Sequence, residues 1–322
     1  MTAVPEASGR HLALVGTTAS GKSAVAFEIA RRRPDIELVS IDSMCVYRGM
    51  DVGTAKPTPA QRAEVPHHLL DLADASEDYS VSRFQAAARA ALDGIETRGH
   101  RALLVGGTGL YLQAVIDDLE LPGQWPDVAA ELEAEADRPG GVGTLHARLA
   151  DLDPLAAGRM RPSNRRRVVR ALEVTLGSGR RFSSFGPGLA AYPTSRFQLV
   201  GLRLPAAVVA SRIEERFLAQ LGGGFLEEVR ILAGGPAGLS RTARQALGYR
   251  ELLAHVEQGV PLEEATADGI RRTRSFARRQ RAWFRRDPRI TWMDPVDPGG
   301  QANPLAAIPT LLGHWTRCPS SA

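Results

Sequence analysis

Three short stretches of this 322-residue chain carry residue types at spacings that could do chemistry. Residues 16–23 read GTTASGKS and fit G-x-x-x-x-G-K-[ST] at every fixed position. Gly16, Thr17, Thr18, Ala19, Ser20 and Gly21 would curl the backbone so that successive N–H groups point inward, at the positive end of the helix that follows. Lys22 adds a point charge, and Ser23 offers a hydroxyl to Mg²⁺. Such a loop captures a diphosphate or triphosphate without requiring a nucleotide. The second stretch ends in Asp42, a carboxylate beside that loop, suited to hold Mg²⁺ or act as a general base, or simply to end a strand in a turn. The third is Gly106-Gly107-Thr108. A P-loop kinase or ATPase usually carries an Mg²⁺-binding aspartate at the end of a later apolar strand. Here two glycines make room for a large ligand, and Thr108 offers a hydroxyl or serves as a helix N-cap.

Composition sharpens this picture. Of the 40 basic residues 38 are arginine, and the two lysines are Lys22 and Lys56, the latter within GTAKP. An ammonium and a guanidinium are not interchangeable, so both positions are candidates for sites that need the compact cation. The arginines cluster, six within 159–170 and nine within 271–289. On a helix Arg271, Arg274, Arg278, Arg281 and Arg285 line one face, with no acid from Gly269 to Arg286. That pattern reads as a polyanion footprint in preference to an ordinary solvated face. His67 and His68 lack a third ligand at metal spacing and read as ordinary turn histidines. Two cysteines, Cys45 and Cys318, exclude a disulfide framework and a zinc ribbon. With no signal peptide and no apolar run of membrane-spanning length, a cytoplasmic protein without membrane association is expected.

The elements that must position these residues alternate. Apolar runs at 12–15, 36–42, 65–71 and 101–105 read as strands, and 24–33 and 80–98 as helices. This predicts an α/β fold, a P-loop NTPase-like parallel sheet with ligands at the strand carboxyl ends. Residues 44–57 read as a functional loop and 1–10 as a frayed tail. Strand signals vanish from about 117 to 192, which predicts a mainly helical insertion domain (117–194) between a first core part (1–116) and its completion (195–322). Helical pieces are expected at 127–137 and 144–152, and a mobile Gly/Ser/Pro-rich loop at 178–193. A strand at 197–204, helices at 206–221, 224–233, 242–258 and 262–287, a strand at 289–293 and a closing helix at 304–315 complete the chain.

In combination, GTTASGKS, DSMCVYRGMDVGTAKPT, PHHLLD, LLVGGTGLY, NRRRVVRALEV, RIEERF, QALGYREL and TRSFARRQRAWFRRD resemble the bacterial tRNA dimethylallyltransferases, over about His11 to Asp294. The resemblance implies transfer of a dimethylallyl group from dimethylallyl diphosphate to N6 of the adenosine 3′-adjacent to the anticodon of tRNA, with release of diphosphate. It explains the missing acid after RALLV, because no phosphoryl group is transferred. It implies that Thr18 to Ser23 cradle the diphosphate, with Ser23 toward Mg²⁺, that Asp42 accepts the N6 proton, and that Thr108 lies at the reacting centre. Arg216 would neutralise charge growing on the diphosphate.

Asp42, Ser43, Met44 and Cys45, Arg166, Arg167, Val168, Val169 and Arg170, and Gln245, Gly248, Tyr249 and Arg250 match segments that contact tRNA in the family, and Arg278 and Arg279 add the basic helix. The insertion would grip the anticodon stem-loop, the flipped adenine would enter a deep site, and the enzyme would be a monomer. The chain departs from the family at Thr17 (usually proline), Cys45 (often glutamine) and Ala129 (often arginine), and lacks the cysteines for the zinc finger of eukaryotic relatives. Other readings of the phosphate loop are a small-metabolite kinase with Asp42 as base, a non-catalytic RNA-binding module, and an enzyme prenylating free adenine nucleotides.

Overall fold

The computed structural model describes residues 11–316, so the tail expected at 1–10 lies outside the described residues. The first part contains β1 (His11–Gly16), α1 (Lys22–Arg32), β2 (Ile36–Ile41), α2 (Pro59–Glu64), β3 (His67–His68), α3 (Val81–Thr97), β4 (Arg101–Gly106) and α4 (Gly109–Ile116). Then come α5 (Pro126–Ala136), α6 (Gly141–Leu152), α7 (Pro154–Gly158) and α8 (Arg165–Ser178). The last part holds β5 (Phe197–Leu202), α9 (Ala206–Gly222), α10 (Phe225–Gly234), α11 (Tyr249–Gln258), α12 (Leu262–Phe284), β6 (Thr291–Met293) and α13 (Ile308–Thr316).

The strands form one parallel sheet in the order β3-β2-β4-β1-β5-β6. β1 is apolar from Leu12 to Val15 and buried on both faces, as a central parallel strand must be, and its buried His11 is paired with Glu96. Alternate residues serve opposite layers. Ala13, Val15, Val39 and Leu104 pack with Phe84 and Leu92 of α3. Leu12, Leu14, Leu38 and Leu103 pack with Val25 and Ile29 of α1 and Leu311 of α13. The register places Val15 and Ile41 each opposite Gly106, so three strands end together. The segments carrying Gly16, Asp42 and Thr108 leave from one edge. Gly106 must lack a side chain there, since a Cβ would overlap the Ile41 carbonyl.

Several boundaries differ from expectation, the closing helix among them, since 304–307 is a 3₁₀ turn ahead of α13. The strand expected at 65–71 shrinks to His67–His68, because Leu69 and Asp71 adopt left-handed φ of 64° and 57°. The helix expected at 242–258 is a short 3₁₀ turn (Ala243–Gln245) and then α11, separated by Gly248 at φ 83°. Leu262–Phe284 ends before the expected Asp287. α2 was not anticipated, although Thr58 and Gln61 form a capping box around Pro59.

The chain divides into two compact units. One runs from β1 to Asp117 and resumes at Tyr192; the other is Asp118–Ala191, slightly shorter than the expected 117–194. Leu132, Leu145, Leu149, Val168, Val169 and Leu172 form the second unit's own core. Part of its expected mobile loop is anchored: buried Asp153 accepts from the Ser183 backbone N–H (2.7 Å) and hydroxyl (2.8 Å). In the first unit Arg289 holds the chain at both ends of the excursion, donating to Asp117 Oδ1 at 2.6 Å and to the carbonyl of Pro193, one residue past Tyr192, at 2.7 Å. No helix among the described residues is long and apolar enough to cross a membrane.

Candidate active site

Gly16 and Gly21, at φ 155° and 85°, and Ala19 at φ 60°, turn the backbone between β1 and α1. Gly21 is the N-cap of α1 with no side-chain hydrogen bond at that end, so the first amides of the helix remain available to an anion. Lys22 Nζ donates to the Thr17 carbonyl at 3.1 Å. Desolvation pushes its pKa down to about 8; the charge of Asp42 opposes that shift and the charge of Arg216 adds to it. Ser23 is exposed at the start of α1, and the buried Ser20 hydroxyl has no partner.

Asp42 follows β2. Its Oδ1 accepts from the backbone N–H of Met44 (2.8 Å) and of Cys45 (3.4 Å). The turn reading is therefore right for one oxygen, and the same bonds fix the carboxylate in the cavity that it lines with Lys22, Thr108 and Arg216. Thr108 occupies the N-cap position of α4, but its side chain makes no capping bond. Its Oγ1 instead accepts from the Ser43 N–H at 3.3 Å, tying the β4 loop to the residue after Asp42. Arg216 reaches the phosphate loop from α9, donating through Nη2 to Thr18 Oγ1 at 2.7 Å. Its pKa is lowered by burial, and its buried Nε has no partner. These residues share a cavity of about 1050 Å³.

The loop 44–57 is irregular, as expected, but firmly held. Glu228 accepts from the backbone N–H groups of Asp51, Val52 and Gly53 at 2.9, 2.7 and 3.1 Å, and from the Tyr249 hydroxyl at 2.5 Å. Gln220 donates to the carbonyls of Val52 and Gly53. Lys56 is enclosed by the Tyr47 carbonyl (2.7 Å), Asp71 (2.7 Å) and Asp51 (2.5 Å), so it is part of the scaffold. His68 is taken up by Glu37 at 2.6 Å and His67 by the Val65 carbonyl at 2.7 Å. Cys45 is buried, and burial pushes its thiol pKa up.

The residues expected at RNA divide. Met44, Cys45 and Gln245 line the cavity, and Arg250 is exposed. Gly248 and Tyr249 are buried and support the loop, since a Cβ at Gly248 would overlap Phe225 and the Tyr249 hydroxyl serves Glu228. Val168 and Val169 are 0% and 4% exposed, so their side chains serve the helical unit's core and are not offered to a partner. Arg166 and Arg167 are exposed, whereas Arg170 is held by Glu173 at 2.7 Å.

The arginine stripe of α12 is likewise not uniform. Arg271 pairs with Asp268, Arg274 with Glu214, and Arg281 bonds to the Leu204 carbonyl. Arg278 and Arg279 are exposed, the latter donating to Ser275 at 3.0 Å. Gln220, Glu228 and Gln280 escaped the sequence reading. Their partners lie 168, 177 and 262 residues away, and no local pattern announces them.

The profile of a family described as IPP transferase matches residues 45–287. The chain is 46% identical over 309 residues to the tRNA dimethylallyltransferase of Acidothermus cellulolyticus, covering 95% of each. Among solved structures it is similar to the full-length tRNA isopentenylpyrophosphate transferase of Bacillus halodurans, at 36% identity and TM-score 0.67, covering 96% of each chain. A eukaryotic dimethylallyltransferase solved acting on tRNA matches at 26% identity and TM-score 0.70, covering 85% of this chain and 69% of that one. A strand edge that combines a phosphate loop with Asp42 and Thr108, and a profile spanning most of the chain, lead to one assignment: this protein belongs to the IPP transferase family, the tRNA dimethylallyltransferases.

Proposed function

We propose that the cavity carries out alkyl transfer from dimethylallyl diphosphate to N6 of the adenosine 3′-adjacent to the anticodon of tRNA. In that reaction the bond between the allylic carbon and the diphosphate oxygen breaks. A carbon–nitrogen bond forms at N6, the amine loses one proton, and diphosphate leaves. The observation that carries this reading is Arg216, a guanidinium bonded to Thr18 with a buried, unpartnered Nε beside the phosphate loop. Such a donor is costly unless an anion completes it. The uncapped amides at the start of α1, Lys22 and Arg216 would hold the leaving diphosphate and stabilise charge as it grows, whereas the Thr18 and Ser20 amides of the expected cradle are already bonded within the fold.

Asp42 Oδ1 is occupied by two backbone donors, leaving Oδ2 to orient the amine and take its proton. Thr108, fixed by Ser43, would lie beside the same nitrogen. Ser23 and Asp42 offer hard oxygen donors along the cavity, and no cluster of three metal-ligating His, Cys, Asp or Glu residues exists among the described residues. That donor set fits a Mg²⁺ coordinated mainly by diphosphate oxygens and water, with Ser23 as its protein ligand. When bound, the ion would neutralise part of the leaving group's charge. Exposed Arg166, Arg167, Arg278 and Arg279 would bind tRNA phosphates. We further assign the protein to the cytoplasm as a monomer, readings that sedimentation and fractionation test directly.

The activity test incubates the protein with labelled dimethylallyl diphosphate, Mg²⁺ and unmodified tRNA, with free AMP as a parallel acceptor. Label on tRNA adenosine alone is the expected result. Label on AMP alone would move the site to nucleotide prenylation, and ADP formation from ATP without prenyl transfer would make it a kinase.

A further inference from the structure

Gln280 lies near the carboxyl end of α12, flanked by arginines, yet it is only 6% exposed and lines the cavity. Its Oε1 accepts from the Thr18 backbone N–H at 2.8 Å, and its Nε2 donates to the Gly107 carbonyl at 2.9 Å. One amide thus spans the two loops that meet at the reacting centre. Thr18 belongs to the phosphate loop, and its hydroxyl is already held by Arg216. Gly107 directly precedes Thr108, whose hydroxyl is fixed by the residue after Asp42.

Two further observations show how specific the fit is. A Cβ on Gly107 would overlap Gln280 Nε2, so a side chain there would push this amide off the Gly107 carbonyl. The joint also needs one donor and one acceptor at fixed separation. A carboxylate keeps only the acceptor, and an ammonium keeps only the donors.

We propose that Gln280 is a positioning residue for prenyl transfer. It sets the separation between the diphosphate-holding loop and the Thr108 loop, and thereby the alignment of the allylic carbon with the acceptor nitrogen. The inference rests on the prenyl-transfer reading given above. Gln280 acts through Thr18 and Gly107, and misplacement of reacting groups by about 1 Å costs on the order of 100-fold in rate.

The test compares the wild-type enzyme with Gln280→Leu, Gln280→Glu, Gln280→Ala, Gly107→Ala and the Gly107→Ala/Gln280→Ala pair. Each is assayed for kcat and for KM toward both substrates, with tRNA binding and thermal unfolding measured in parallel. Gln280→Leu is expected to lower kcat about 100-fold while tRNA affinity changes less than twofold. Gln280→Glu, being isosteric, guards against simple misfolding. Its rate relative to wild type should rise as pH falls, because a protonated carboxyl regains the donor to Gly107. Gly107→Ala alone should be damaging, but should add nothing in the Gln280→Ala background, where the clash is gone.

Gln280→Leu within twofold of wild type in kcat, a flat pH ratio for Gln280→Glu, or strictly additive losses in the double variant would each overturn the inference while leaving the prenyl-transfer reading intact. Wild-type protein that transfers no label to tRNA would overturn both.

Discussion

Lys22 and Lys56 are the same side chain in opposite conditions. Lys56 Nζ is shielded from solvent and surrounded by one carbonyl and two carboxylates, all supplied by its own loop and the neighbouring turn. Lys22 Nζ has one carbonyl, faces a cavity beside Arg216, and loses enough solvation to titrate near pH 8. An ammonium whose acceptors are all provided by the fold stabilises the fold. One left short of acceptors in a desolvated cleft is held ready for an anion from outside. The contrast also explains why both positions keep lysine in a chain otherwise committed to arginine. Lys56 sits in a pocket shaped for a compact cation, and the phosphate loop uses a point charge in place of a fork.

The sharpest way to break this comparison is to remove each ammonium. Lys56→Met leaves the Tyr47 carbonyl and the partly exposed Asp51 without their buried cation, while Asp71 keeps Arg62, and should cost about 1–2 kcal/mol in urea unfolding. Protein that stays fully stable yet loses turnover would place Lys56 at the chemistry. Lys22→Met should reverse the pattern. A loss of about 100-fold in kcat/KM for dimethylallyl diphosphate, on the order of 3 kcal/mol of transition-state stabilisation, should accompany an unfolding midpoint unchanged or slightly raised.

pH sharpens the difference further. Diphosphate binding raises a lysine pKa that starts near 8, so affinity should be flat below about pH 8 and fall above it as the unliganded ammonium deprotonates. Lys22→Met should lack that limb, which calorimetric titration across pH 6.5–9.5 would reveal. The smallest effect belongs to the same contrast among arginines. Arg166→Ala with Arg167→Ala should weaken tRNA binding about tenfold and lower the salt slope by about 2, while Arg165→Ala, whose guanidinium bridges Glu133 and Asp137, should act mainly on stability. Filter binding over a range of salt concentrations separates them.

What was legible in the sequence follows from how local each signal is. The phosphate loop, the Asp42 turn and the GGT turn are written in contiguous residues, and a parallel register brings them to one edge. Arg216 was found only through resemblance, since nothing local distinguishes it among so many arginines. Gln280, Gln220 and Glu228 were invisible, because a polar residue within a helix gives no sign of a partner more than 150 residues away. The broken helix before Tyr249 was misread for a related reason. Gly248 looks like a tolerated helical glycine until its φ of 83° and its contact with Phe225 are known. Arginine periodicity overstated the free basic surface of α12, because acids on other elements claim Arg272 and Arg274.

Arg289 has a consequence for how this chain can vary. One guanidinium bonds both Asp117 and Pro193, so the two cut ends of the core are pinned within a few ångströms of each other, whatever sequence runs between them. The catalytic scaffold therefore has a built-in splice point. Asp118–Ala191 carries its own core, and the strand edge bearing Asp42 and Thr108 is built without residues from it.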